Sequence, residues 1–201
     1  GLNLIATLAF LSGVGILYGV AGTLNMADLH LALEGRQNER AVVASAAFLI
    51  FAFGAKAALF PLFSWLPASY HTPAYATSAL FAALLTKVGV YALLRSFTVV
   101  YDGGEGWIQG ILMVAAILTM IVGISGAVSQ TQIRRILGFT IISAIGYMVL
   151  GLAIYTPLAI MGALFYLFHD IIVKANLYFL SGVIARKAGS EDIEEIGGLL
   201  K

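Results

Sequence analysis

Four charged side chains sit where the surrounding sequence offers no water: Lys56, Lys87, Asp170 and Lys174, with His169 beside the aspartate. An ionisable group at bilayer depth costs at least roughly 2.5–3.5 kcal/mol and normally faces a bundle interior or a water-filled cavity. Burial disfavours an ammonium and a nearby carboxylate restores it, so a lysine with a movable acidic partner is a switchable proton site. The chemistry these residue types support is therefore proton exchange along a chain of sites. Asp170 and Lys174 stand at i and i+4 in the acid-first order, so they can neutralise each other within one helix. Lys56 and Lys87 have no carboxylate in the apolar part of their own segments, so their counter-ions come from elsewhere or they are neutral. Lys56 has about nine residues to either end of its apolar run, roughly 13 Å of helix, about twice what a lysine stem spans when it snorkels. Lys87, nearer one end, is a weaker case of the same kind. The competing reading is a bundle in which each lysine pairs with a carboxylate and serves only to stiffen it.

Pro61 lies five residues after Lys56. A proline removes a backbone donor and clashes with the carbonyl four residues earlier, here that of Ala57. A freed carbonyl next to a buried lysine makes a hydratable break of the kind that lines transporter sites, although a plain kink would look the same in sequence. Other chemistries find no support. Nothing places a serine beside a histidine with a third orienting group, no metal-ligand spacing or phosphate-cradling glycine loop occurs, and there is no cysteine. No cofactor or metal is expected.

The elements that must carry these residues follow from composition. Of 201 residues, 61% are hydrophobic and only 10% charged, with a net charge of +1; mean hydropathy is +0.98. A soluble domain carries about 25% charged residues, so a soluble enzyme and a disordered chain are excluded, and without a basic stripe no nucleic-acid partner is expected. The class is all-α integral membrane. Six apolar runs are each long enough, at about 20 residues, to cross the hydrocarbon layer: Leu2 to Leu24, about Ala41 to Trp65, about Ala74 to Leu94, about Trp107 to Val128, Ile133 to Ile154, and Pro157 to Ala185. None alternates with the period of two of a membrane barrel strand.

The connections carry turn chemistry: Pro67 with Pro73, Asp102-Gly103-Gly104, and Thr156-Pro157. Asn25 to Arg40 reads as a water-exposed loop, His30 and His71 as solvated loop histidines, and the Gly15/Gly19 pair as a helix-packing motif. Lys and Arg divide five (Arg134, Arg135, Arg186, Lys187, Lys201) against three (Arg36, Arg40, Arg95), which places the first group in the cytoplasm. No secretory signal pattern precedes the first run, and a chain starting at Gly1 and stopping in a polar stretch reads as an excerpt of a longer one.

These motifs resemble a known family. Lys56-x4-Pro61-x3-Trp65-Leu66-Pro67, followed by the Pro73-to-Ser78 turn and Lys87-Val-Gly-Val-Tyr91, is similar to the proton-translocating antiporter family. This comprises the antiporter-like subunits of complex I and the A and D subunits of the Mrp multisubunit Na+/H+ antiporter. Gln130-Thr-Gln-Ile-Arg-Arg135 with Gly146-Tyr147-Met148, and His169-Asp-Ile-Ile-Val-Lys174 running to Gly182, resemble its later signatures. Gly22-Thr-Leu-Asn-Met-Ala-Asp28 looks most like the Mrp D-type sequences.

The resemblance implies a fourteen-helix subunit built from two inverted five-helix repeats, of which this chain is the central part. Residues 1–95 would be three helices closing the first repeat, and 96–201 three helices opening the second, plus a polar tail. It implies a multi-pass protein of the cell's plasma membrane, held among other membrane subunits and lipid. Protons, and in an antiporter Na+, would be its substrates, and Lys56, Lys87, His169, Asp170 and Lys174 its relay. The glutamate paired with Lys56 would lie upstream of Gly1. Relatives usually carry histidine where Asp170 stands, so Lys174 would be held charged more firmly here. A proton-pumping subunit of a complex I-like or membrane hydrogenase complex is the alternative within the family. A structural bundle anchoring lipids or subunits is the alternative outside it.

Overall fold

The computed structural model describes residues 1–70, 72–101 and 106–196. Expectations for His71, the Asp102-Gly103-Gly104 turn and Lys201 fall outside these. Among the described residues the chain is helical, with α1 Leu2–Ala21, α2 Met26–Ala32, α3 Arg40–Ala57, α4 Trp65–Tyr70, α5 Tyr75–Leu80, α6 Thr86–Val99, α7 Gly106–Val128, α8 Ile133–Ile154 and α9 Pro157–Ala188. A π-helical turn, Phe81–Leu85, joins α5 to α6 in one continuous span. Six spans are long and apolar enough to cross a membrane, and they are the six expected from hydropathy.

Local chemistry accounts for several ends. Asn25 caps α2 by accepting the Ala27 N–H at 3.1 Å. Thr156 caps α9 by accepting the Ala159 N–H at 3.2 Å, with Pro157 in the first helical turn, where its missing N–H costs nothing. The Asn25 to Arg40 segment is more than a solvated loop: α2 folds back and buries Leu29 and Leu33.

The helices pack in the order α1–α3–α6–α8, with α7 and α9 on either side of α8. Between apolar helices in lipid the hydrophobic effect offers little drive, so close backbone packing through small residues takes over. At the α7–α8 contact, a Cβ built on Gly123 would stand 2.4 Å from the Ser143 nitrogen, and one on Gly146 2.8 Å from the Ala116 oxygen. The buried Ile141, Ile142, Ile145 and Met148 make α8 the centre of the bundle. Among the described residues a Cβ on Gly15 or Gly19 would meet nothing within 4 Å, and it is Gly13 that packs against Leu49 and Phe48.

The described members of the two groups of basic residues fall at opposite ends. At one end Arg36 bonds the Val20 carbonyl and Gln37 the Val100 carbonyl. At the other, Arg134 makes a two-pronged pair with Glu191 at 2.9 and 2.6 Å and donates to the Pro73 carbonyl at 2.9 Å. Its guanidinium also lies 4.5 Å over the Tyr75 ring, whose hydroxyl bonds the same glutamate. This clasp ties the starts of α5 and α8 to the segment that follows α9.

Candidate functional site

The second apolar run does not continue as one helix to Trp65. α3 stops at Ala57, and Ala58 takes a left-handed conformation (φ 63°, ψ 41°) although it carries a Cβ and is fully buried. The Leu59 N–H closes the helix end on the Gly54 carbonyl at 2.9 Å. The Ala55 carbonyl, which takes the Ala58 N–H at 3.3 Å, also accepts the Trp65 indole N–H at 2.9 Å. The break therefore begins three residues before Pro61, and Trp65 from the far side of it bonds back to the helix end.

This changes the place of Lys56. It occupies the last turn of α3 and its side chain is exposed, hydrogen-bonded to the amide oxygen of Asn3 on α1. With Asn3, Ala6, Trp65 and Leu85 it lines a cavity of about 450 Å³ between α1, the break and the π-helical turn. Lys56, set by the sequence well inside its apolar run, thus stands at a helix end within that run, facing a polar neighbour and a cavity.

Lys87 is buried, 2% exposed, in the middle of its span. Its ammonium lies 2.7 Å from Asp170 Oδ2 and donates to the Ala82 carbonyl of the π-helical turn at 2.7 Å. A π turn leaves carbonyls less regularly paired than an α-helix and recurs at functional sites; here one is met by the side chain five residues on. Thr86, next to Lys87, has a fully buried hydroxyl with no hydrogen-bond partner among the described residues.

The close ion pair that the spacing allows between Asp170 and Lys174 is not the one formed. Asp170, 3% exposed, gives its ion pair to Lys87 across the bundle. Lys174, 8% exposed, instead donates to the Thr140 hydroxyl on α8 at 2.8 Å. Helical spacing permits an i,i+4 pair but does not compel it when two partners compete. Two ammonium groups thus flank one carboxylate, and Lys87 finds on α9 the counter-ion its own segment lacks.

His169 does not join this cluster. One residue is about 100° of helix rotation, so while Asp170 points inward, His169 is exposed and stacks on Tyr166, ring centroids 6.0 Å apart. Thr140, Thr119 and Asn3 are polar partners that the sequence did not single out. A hydroxyl inside an apolar run reads as neutral there, and the only signal for Thr140 is its place within a family-like signature. No group of three or more His, Cys, Asp or Glu suited to a metal occurs among the described residues.

The family described as NADH:quinone oxidoreductase/Mrp antiporter, transmembrane, matches residues 2–201. The D subunit of a Na(+)/H(+) antiporter from Alkalihalophilus pseudofirmus is 45% identical over 200 residues, covering 100% of this chain and 41% of that protein. Among solved structures, the Mrp complex of a Dietzia species superposes with a TM-score of 0.84 at 38% identity, over 91% of this chain and 34% of that one. An archaeal membrane-bound sulfane sulfur reductase, a respiratory membrane complex, gives 0.91 at 30% identity, over 98% and 41%. The chain spans about two fifths of the length of the curated relatives it matches.

Proposed function

Since this chain belongs to the NADH:quinone oxidoreductase/Mrp antiporter transmembrane family, we propose that it is the central, proton-handling part of a cation/proton antiporter subunit of the D type. In this reading residues 1–95 close one repeat and 96–201 open the next. The whole subunit sits in the plasma membrane among other membrane subunits and exchanges H+ for Na+. Protons pass between Lys56, Lys87 and Lys174 as Asp170 changes partner, with His169 outside the buried part of the path. The observation that carries the reading is one carboxylate, Asp170, ion-paired to Lys87 with a second buried lysine four residues further on. A buried ion pair contributes little net stability over an apolar pair of the same shape, so its presence asks for a role beyond packing. The Thr86 hydroxyl, without a hydrogen-bond partner among the described residues, offers a water a binding site beside Lys87.

The test is Lys56→Ala in the full-length subunit, assembled in its complex and studied in inverted membrane vesicles. Cation-driven pH change is abolished while the complex still assembles; full transport by that variant would sink the reading. The likeness to the respiratory sulfane sulfur reductase favours a second reading, a proton-pumping subunit of a redox complex. It is distinguished by whether proton movement needs a redox substrate or a Na+ gradient.

A further inference from the structure

The helix break beside Lys56 is held from across the bundle by a residue outside the charged cluster. Within the break the Ala58 and Leu59 amides bond back to the Ala55 and Gly54 carbonyls, and Pro61 has no N–H. The Phe60 amide lies between them, in apolar surroundings where an unpaired donor costs about 1–3 kcal/mol. It donates to the Thr119 hydroxyl oxygen at 2.9 Å. Thr119 is fully buried in the middle of α7, and its own proton goes to the Ala115 carbonyl at 2.6 Å. That intrahelical bond fixes the hydroxyl so that its free lone pair faces the break. α7 is in turn locked to α8 by the Gly123 and Gly146 contacts, and α8 carries Thr140, the partner of Lys174.

We propose that Thr119 is a positioning residue for proton transfer: through Phe60 it sets the backbone of the break and so the place of Lys56. It ties that place to the helix pair that also holds Lys174. This rests on the proton-handling reading above.

The experiment uses the full-length subunit in its complex, with Thr119→Val, which keeps the shape and removes the acceptor, and Thr119→Ser, which keeps the acceptor. Amide hydrogen exchange is followed in the peptide containing residues 58–64, beside vesicle transport. Thr119→Val speeds exchange in that peptide and lowers transport, each by about tenfold, the effect of one lost hydrogen bond of ordinary strength. Thr119→Ser stays within about twofold of the parent in both, again on the scale of one hydrogen bond retained. Unchanged exchange in Thr119→Val overturns the structural link. Raised exchange with unchanged transport overturns its role in positioning Lys56. A parent-like Lys56→Ala would sink the proton-handling reading instead, and the exchange measurement would still decide the structural link by itself.

Discussion

The Lys87 ammonium and the Asp170 carboxylate meet at 2.7 Å across two helices, each residue at most 3% exposed. Removing one partner strands the other as a buried charge, which costs roughly 3–5 kcal/mol, whereas removing both is close to neutral. Asp170→Asn in the full-length subunit therefore lowers its thermal unfolding temperature, and the double change Lys87→Met with Asp170→Asn recovers most of that loss. Transport stays absent in both. A double variant that pumps would show the pair to be structural only.

Gly89 is where α6 touches the end of α3, two residues from Lys87. A Cβ there would stand 2.6 Å from the Ala57 nitrogen and 3.0 Å from the Lys56 carbonyl carbon, both backbone atoms. With no flexible side chain to yield, Gly89→Ala separates the two lysine-bearing segments and costs about 1–3 kcal/mol, the usual range for overpacking. Gly162→Ala on α9 has open space around it and leaves stability unchanged or raised. Thermal unfolding of the two variants side by side decides the matter; equal effects would refute the close contact.

Tyr101 gives a pH signature outside the spans. Its hydroxyl lies 2.6 Å from Ser45 Oγ, and since Ser45 gives its proton to the Gly13 carbonyl at 2.8 Å, the phenol is the donor. Burial pushes the phenol from 10.0 up to about 12. The folded state thus keeps a proton that the unfolded chain releases, so this contribution is complete below pH 10 and is lost as pH rises towards about 12. Unfolding followed from pH 9 to 12 falls less steeply in Tyr101→Phe than in the parent. Parallel curves would rule out this phenol as the cause.

Hydropathy carries the architecture, because a span announces itself by about 20 apolar residues whatever its neighbours do. The burial of Lys87 and Lys174 is legible for the same reason. Partner choice is not. Asp170 has one partner in reach along its own helix and another across the bundle, and only the packing of α6, α8 and α9 decides between them. The end of the helix that carries Lys56 is not legible in sequence, because it is set at Ala58, a residue whose composition says nothing of a left-handed turn. His169 and Asp170 are neighbours in sequence, yet consecutive helical residues face different sides.

The π-helical turn at Phe81–Leu85 has a consequence of a different kind. Such a turn winds one surplus residue into the helix, so everything after it is rotated by about 100° relative to an uninterrupted α-helix starting at Tyr75. Lys87 therefore looks towards Asp170 because of how many residues precede it, not only because of what they are. In this segment residue number acts as an angular coordinate, and a single insertion or deletion between Tyr75 and Lys87 would turn the ammonium from the carboxylate without altering any residue of the site.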